Sequence, residues 1–391
     1  MGSLTRKAAI VGAYEHPGRN MPDKTPLQIQ AECAKAALED AGLSKKDIDG
    51  YMTSGGEGMY GVMMADYLGI EAQVKLTDNT SIGGSSFLAL VSRATAAIAA
   101  GQCEVVLITY GSTAFSAGQA IGTGGFRRAR VDPWPDSFEA PYGYILAALY
   151  ATVASRHMYE YGTTSEQLAE IAVTMRRHAS MNPNAMYRDP ITVEDVLKSR
   201  MIAWPLHMLD CCVISDGGGA VIVTSPERAR NTRHKPVWVL GVGEGYRGSN
   251  CGMRDYTTVA AKTSAPTAFG MAGVTHKDID MCMIYDSFTI TALTTLEDLG
   301  FCKKGEGGAF VQGGRLAIDG PLPTNTDGGG LSSNHPGMRG MFLIIEATKQ
   351  LRGDFAGTPR QVKDCKIALC HGTGGNIGTR QGGVTLILGR D

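Results

Sequence analysis

The sequence predicts an α/β protein made of two similar βαβαβ halves, and three observations carry that reading. Residues 41–52, Ala-Gly-Leu-Ser-Lys-Lys-Asp-Ile-Asp-Gly-Tyr-Met, are echoed at 272–283 by Ala-Gly-Val-Thr-His-Lys-Asp-Ile-Asp-Met-Cys-Met. A glycine-containing turn opens a long apolar helix in each half: Ile82-Gly83-Gly84-Ser85 precedes 87–100, and His335-Pro336-Gly337 precedes 338–352. Each half also closes on a Gly-Gly strand, at 218–223 and at 382–387. Self-similarity at half the chain length marks a duplication. Chemistry is then expected where the halves meet.

Taken in order, each half offers a first strand and then an amphipathic helix (26–43; 257–272). Lys-Asp-Ile-Asp follows, then a short apolar strand, then the turn and long helix. Both long helices stop at a glycine, Gly101 and Gly353, at the position past a helix end that favours the left-handed conformation. The division falls at 1–235 and 236–391. Between about 111 and 217 the first half carries roughly 100 residues that the second lacks, a length that on a rigid scaffold serves contacts with ligands or subunits. This insertion reads as a Pro/Trp-rich loop (Val131-Asp132-Pro133-Trp134-Pro135), a helical run over 143–161 and a capped helix starting at Thr164-Ser165 with Glu166 behind it. A loop at 181–185 and a short helix over 193–200 complete it. It is expected to shape a binding tunnel.

With 391 residues, 43% of them hydrophobic, the chain can fill two packed cores. A net charge of −1 and no run of Lys or Arg longer than two argue against nucleic-acid binding. No segment approaches eighteen consecutive apolar residues, and the N-terminus lacks the apolar stretch of a signal peptide, so a soluble, cytoplasmic protein without a membrane segment is expected. Nine cysteines in such a chain are expected to be reduced thiols. Their spacing offers no zinc site: Cys211 and Cys212 are adjacent, and Cys365 and Cys370 have no matching second pair. Gly328-Gly329-Gly330 and Gly372-Thr373-Gly374-Gly375 lack the patterns of phosphate-cradling loops, which disfavours nucleotide hydrolysis and hydride transfer.

The stretches 176–185 (Arg-Arg-His-Ala-Ser-Met-Asn-Pro-Asn-Ala), 205–217 (Pro-Leu-His-Met-Leu-Asp-Cys-Cys-Val-Ile-Ser-Asp-Gly) and the turn Asn334-His335-Pro336-Gly337 resemble thiolases of the sterol-carrier-protein (lipid-transfer) type. The resemblance covers nearly the whole chain and implies the duplicated thiolase fold, a five-layered αβαβα arrangement of two pseudo-symmetric halves. It also implies a nucleophilic cysteine three residues before the glycine that opens the first long helix. Counting back from Gly84, that position holds Ser81. A cysteine at a helix N-terminus is partly thiolate near neutral pH, whereas a serine hydroxyl must lose its proton to an adjacent base. The other reading of Ser81, after Thr80, is an ordinary helix N-cap. Where such thiolases carry His-Asp-Cys-Phe, this chain has Tyr285-Asp286-Ser287-Phe288, and the Tyr285 hydroxyl suits proton transfer at a carbonyl or alkoxide.

Two family elements are kept. The resemblance implies that His335 helps hold the thioester oxygen, and that Cys370, in Cys370-His371-Gly372, moves a proton at the α-carbon; a buried structural thiol is the other reading of Cys370. Asp286 is expected to hold the neighbouring loop. Asp286, Ser287, Gly337, His371 and Gly372 are assigned to the binding side of the site, the glycines allowing backbone to approach the pantetheine and thioester. No tightly bound cofactor or metal is expected, with coenzyme A entering as part of the substrate. The family further implies a homodimer formed across the first-half sheet edge, and a small zinc-ribbon/OB-fold partner protein.

Three activities fit. The first is a retro-aldolase acting on a β-hydroxyacyl-CoA through a CoA-ester enolate, with Tyr285 taking the hydroxyl proton, Cys370 serving the α-carbon and His335 holding the enolate. The second is a thiolase or acetyl-CoA acyltransferase acting on a 3-ketoacyl-CoA. A non-catalytic acyl-CoA or lipid-binding subunit is the third.

Overall fold

The computed structural model describes residues 4–56, 59–120, 142, 145–249 and 255–391. The Pro/Trp-rich loop at 131–135 lies outside the described residues. The first half runs β1 (Ala9–Glu15), α1 (Pro26–Ala41), β2 (Gly50–Thr53), α2 (Tyr60–Leu68), β3 (Leu76–Asp78), α3 (Ser86–Ala99) and β4 (Val105–Ser112). The insertion supplies α4 (Leu146–Tyr161), α5 (Ser165–Ser180), α6 (Val193–Lys198) and the small hairpin β5 (Met201–Ala203) and β6 (Leu206–His207), before β7 (Gly217–Thr224) returns to the sheet. The second half runs β8 (Val237–Arg247), α7 (Ala261–Ala272), β9 (Met281–Ile284), α8 (Thr289–Leu299), α9 (Gly340–Arg352), β10 (Ile367–Gly375) and β11 (Gln381–Gly389).

Nine strands form one sheet in the order β3-β2-β4-β7-β1-β8-β11-β10-β9. Its two portions join at β1 and β8, where Ala9 faces Trp238 and Ile10 faces Val237. Phe87, Leu88 and Val91 of α3 and Phe342, Leu343 and Ile344 of α9 share one core with β4 and β7 on one side and β9 and β11 on the other. Helix α1 packs on the opposite face of the first portion, and α7 on that of the second. The layers are therefore helix, sheet, helix, sheet, helix, the five-layered arrangement expected.

Local chemistry accounts for the repeat. In each half the first Asp of Lys-Asp-Ile-Asp caps a single turn: Asp47 Oδ2 accepts the Ser44 N–H at 2.9 Å, and Asp278 Oδ2 accepts the Thr275 N–H at 2.8 Å. Ile48 and Ile279 point into the core. The second Asp clamps the start of a strand. Asp49 Oδ1 accepts from Glu104 and Val105 at 2.9 and 2.8 Å, and Asp280 Oδ2 accepts from Lys366 and Ile367 at 2.7 and 2.9 Å. One tetrapeptide thus builds a turn, a core contact and a strand start.

Helix ends follow their caps. Thr25 and Gln28 form the box that starts α1, with Pro26 at its first position, and Gly42 ends it at φ +71°. Thr164 caps α5, with Gln167 rather than Glu166 closing the box. Helix α9 begins at Gly340, later than the expected 338, because Gly337 holds φ +88° ahead of it. All of α8 is buried, polar Glu297 and Asp298 included, because α4, α5 and α7 pack around it. Glu297 meets His157 of α4 at 3.0 Å and Lys304 at 3.1 Å, and Lys304 also reaches Asp298 at 3.0 Å, so these buried charges are compensated. Among the described residues no helix is long and apolar enough to cross a membrane.

Asp49→Ala and Asp280→Ala each remove a carboxylate that accepts backbone N–H groups at a strand start, so each is expected to cost about 2 kcal/mol in denaturant unfolding. The two positions serve opposite parts of the sheet, so the double variant should show the sum of the single losses.

Candidate active site

The site is assembled where the N-termini of α3 and α9 meet. A Cβ on Gly340 would collide with the Gly84 carbonyl oxygen, and a Cβ on Gly372 would lie 2.9 Å from Ser85 Cα. Only glycine lets these backbones approach so closely. Gly83, at φ +61°, sits as tightly on Gly374, where a Cβ would come within 2.7 Å of Cα. Two helix N-termini, one from each half, so direct their positive dipole ends toward one region.

Tyr285 follows β9 directly, and its ring lies over this junction. A Cβ on Gly84 would collide with Cε2 of the tyrosine ring. The Tyr285 hydroxyl is 2.7 Å from His335 Nε2, with the two rings edge to face at 88°. Either atom can hold the shared proton. Burial pushes the phenol well above its ordinary value, so it stays protonated at neutral pH. His335 is pushed down to about 4, first by burial and then by the Arg339 guanidinium, so the imidazole is neutral. The pair holds one transferable proton between two uncharged groups.

His335 is fixed from several elements. Its N–H donates to Ser215 Oγ at 3.0 Å. Tyr110 of β4 donates its hydroxyl proton to the Pro336 carbonyl and accepts the Met338 N–H at 3.1 Å. Asn334 Nδ2 donates to Glu15 Oε1 at 2.8 Å. Behind them lies Arg339, fully buried, with Nη2 on both Asp327 oxygens at 2.7 and 2.6 Å and Nη1 on the Asn334 carbonyl and side-chain oxygen at 3.0 and 2.8 Å. Its Nε lies 3.4 Å from Asp286 Oδ1.

Known proteins share both fold and sequence. Residues 244–390 match the thiolase C-terminal domain-like family. The chain is 35% identical to a steroid side-chain-cleaving aldolase of Thermomonospora curvata, over 96% of this chain and 97% of that protein. An acetyl-CoA acetyltransferase of Methanothermobacter thermautotrophicus is 36% identical over 96% and 98%. The chain belongs to the thiolase superfamily. A 17-hydroxy-3-oxo-4-pregnene-20-carboxyl-CoA lyase of Mycobacterium tuberculosis is 34% identical over 90% of this chain and 92% of its own. Among solved structures, an Ltp2-ChsH2(DUF35) aldolase superposes with a TM-score of 0.88 at 34% identity, covering 100% of this chain and 99% of that one.

Within this thiolase-superfamily chain the expected site residues separate into groups. Tyr285 and His335 come together. Ser81 is exposed in the turn ahead of α3 and does not cap it. Among the described residues no side chain caps α3; Ser86, its first residue, holds the preceding turn instead, accepting the Ile82 N–H at 2.9 Å and donating to the Gly83 carbonyl at 2.6 Å. Asp286 accepts the Gly330 N–H at 2.7 Å and is pushed up to about 6 by burial, against the pull of Arg339. It holds the 329–333 turn, as expected. Ser287 bonds Thr291 Oγ1 at 3.0 Å, at the start of α8. Gly337 is exposed beside the Tyr110 hydroxyl, and Gly372 packs on the α3 start.

Cys370 and His371 lie apart from the pair. Tyr285 N–H donates to the His371 carbonyl at 2.9 Å, whereas Cys370 pairs with Met283, deeper in the strand. The Cys370 thiol is fully buried in the core between sheet and α9 and donates to the Leu343 carbonyl at 3.5 Å. His371 faces the outer helix layer and bonds Thr385 Oγ1 at 2.9 Å, with burial pushing its imidazole down to about 3. Sequence reasoning did not single out Arg339, Asp327, Tyr110 or Cys212. The half-buried Cys212 donates its N–H to the Ser287 carbonyl at 2.8 Å, and its thiol is pushed up to about 12 by burial and then by Asp286. An arginine at the head of an apolar helix was the available signal for the first.

Gly84→Ala should cost about 1–3 kcal/mol by overpacking against Tyr285, read by thermal unfolding. Because the folded-state value of His335 is depressed, its contribution to stability is present above about pH 6.5 and is lost as pH falls toward 4. Urea midpoints across that window should fall more steeply for the wild type than for His335→Gln.

Proposed function

We propose that this chain is a retro-aldolase that cleaves the Cα–Cβ bond of a β-hydroxyacyl-CoA. The observation that carries the reading is the Tyr285–His335 pair, at 2.7 Å, seated over the helix start where a thiolase would place its nucleophile. Tyr285 accepts the β-hydroxyl proton as its own passes to His335 Nε2. The alkoxide electrons form the new C=O bond, the Cα–Cβ bond breaks and its electron pair enters the thioester as an enolate. N–H groups at the two helix starts face the developing oxyanion. The imidazolium, disfavoured by burial and by Arg339, returns the proton toward Cα, releasing a ketone or aldehyde and a shortened acyl-CoA. Atoms balance without water or added CoA, and no covalent acyl-enzyme forms. Cys370 has no part in this scheme because its thiol is sealed in the core.

The aldolase and lyase named among the relatives support this reading, and coenzyme A enters only as part of the substrate. Thiolysis is the second reading, favoured by the 36% identical acetyltransferase. We assign the division at 1–235 and 236–391, with an insertion at about 111–217, to the two units of the chain. A cytoplasmic homodimer is also proposed. The end strand β3 has no outer neighbour among the described residues, and α2 beside it exposes Val62, Met63 and Tyr67, with Met59 exposed just ahead of it. The Ltp2-ChsH2(DUF35) assembly supports a small partner protein as well.

Tyr285→Phe should lower aldehyde or ketone release by about 100-fold or more, while Ser81→Ala leaves it unchanged. A stable acyl adduct on Ser81 in intact-protein mass spectrometry, or strict dependence on added CoA, would establish acyl transfer instead.

A further inference from the structure

One guanidinium touches the chain on both sides of the proposed reacting pair. Asp286, beside Arg339 Nε, is the residue after Tyr285, and Asn334, which accepts from Nη1 twice, is the residue before His335. Asp327 closes the remaining side through Nη2, with both oxygens engaged. Burial works against ionisation of Asp327, and the guanidinium overrides it and holds the carboxyl below its ordinary value. The planar fork of arginine reaches three partners at fixed angles, which a lysine ammonium on a flexible stem cannot reproduce. The Nε atom makes no hydrogen bond, so its tie to Asp286 is electrostatic.

We propose that Arg339 is a positioning residue for the reaction: it sets the Tyr285–His335 hydrogen bond by fixing both flanking segments, and it stations a buried cation behind that pair. This rests on the Tyr285–His335 pair being the reacting site. Around that pair stand Arg339 and Asp286 from the second half, with Asp327 behind the guanidinium, Glu15 at the end of β1, Tyr110 of β4, and Tyr150 and the Cys212 thiol from the insertion. Arg339 is the cation that acts on the imidazole, and Asp327 offsets its charge for the fold as a whole. A buried cation beside an imidazole opposes its protonation.

Two full-length variants separate the tasks. Arg339→Gln with Asp327→Asn removes the closest ion pair and keeps hydrogen-bonding groups, while Asp286, already pushed up by burial, loses its cation and is expected to take up a proton rather than stay a buried unpaired charge. Arg339→Lys keeps the charge and loses the fork. The His335 imidazole titration, followed by NMR, should rise by about one pH unit or more in the double variant and stay within about half a unit of wild type in Arg339→Lys. The acid limb of kcat/KM should move with it. In Arg339→Lys, kcat for carbon–carbon cleavage should fall about tenfold or more with KM within about threefold, the signature of lost alignment rather than lost binding. An unmoved His335 titration in the double variant, or an unchanged kcat in folded Arg339→Lys, overturns the proposal. If the double variant does not fold, the kcat of Arg339→Lys decides. Retained cleavage in Tyr285→Phe would instead remove the proposed reaction, and the NMR titration reads Arg339 whether or not that reaction stands.

Discussion

The contact between Gly340 and the Gly84 carbonyl is the constraint on which the rest of the molecule depends. It brings the starts of two helices from different halves to van der Waals distance, and no side chain larger than hydrogen fits between them. The glycines at 83, 372 and 374 extend the same closeness to the neighbouring turn and strand. Without that approach Tyr285 could not lie over α3 while reaching His335 ahead of α9. The five layers are a way of holding two helix starts together from both sides.

Behind the contact, polar groups are buried in a connected set. Arg339 joins Asp327, Asn334 and Asp286, while Arg360 joins Glu346, which accepts from Thr326, and also reaches Asn182. Replacing such a set by apolar side chains could give an equally stable core. What it supplies is direction, since each hydrogen bond fixes an angle as well as a distance. The segments it orients are those that flank the proposed proton-transfer pair.

Much of this was legible in the sequence. The Lys-Asp-Ile-Asp echo identified the duplication, and its geometry shows why it recurs: turn cap, core contact and strand clamp are compressed into four residues. Tyr285 and His335 stood out because each departs from or keeps a recognisable local pattern. Cys370 was harder to read. Strand alternation places its thiol on the α9 face, but only the packed helix shows that this face is sealed at that depth. Arg339 was missed because arginine is ordinarily an exposed residue, and the loops that neutralise it are distant in sequence. Ser81 lies ahead of α3, but the capping role read for it is filled by no side chain among the described residues, and Ser86 ties down the turn between them.

The two halves also differ at matched positions. Five residues before the starts of α3 and α9 stand Ser81 and His335, and two residues before them stand Gly84 and Met338. The residues that follow β2 and β9 are Ser54 and Tyr285, and each faces the helix start of the other half, Ser54 toward Met338 and Tyr285 toward Gly84. One arm therefore sets a large ring on a bare backbone, and the other a small hydroxyl against a long flexible thioether. A duplicated frame would by itself accept a ligand in either of two opposed orientations. This exchange of bulk makes the two arms unlike, with acid–base groups at one end of the junction and a flexible thioether at the other, so that a thioester bound there would meet them in one order only.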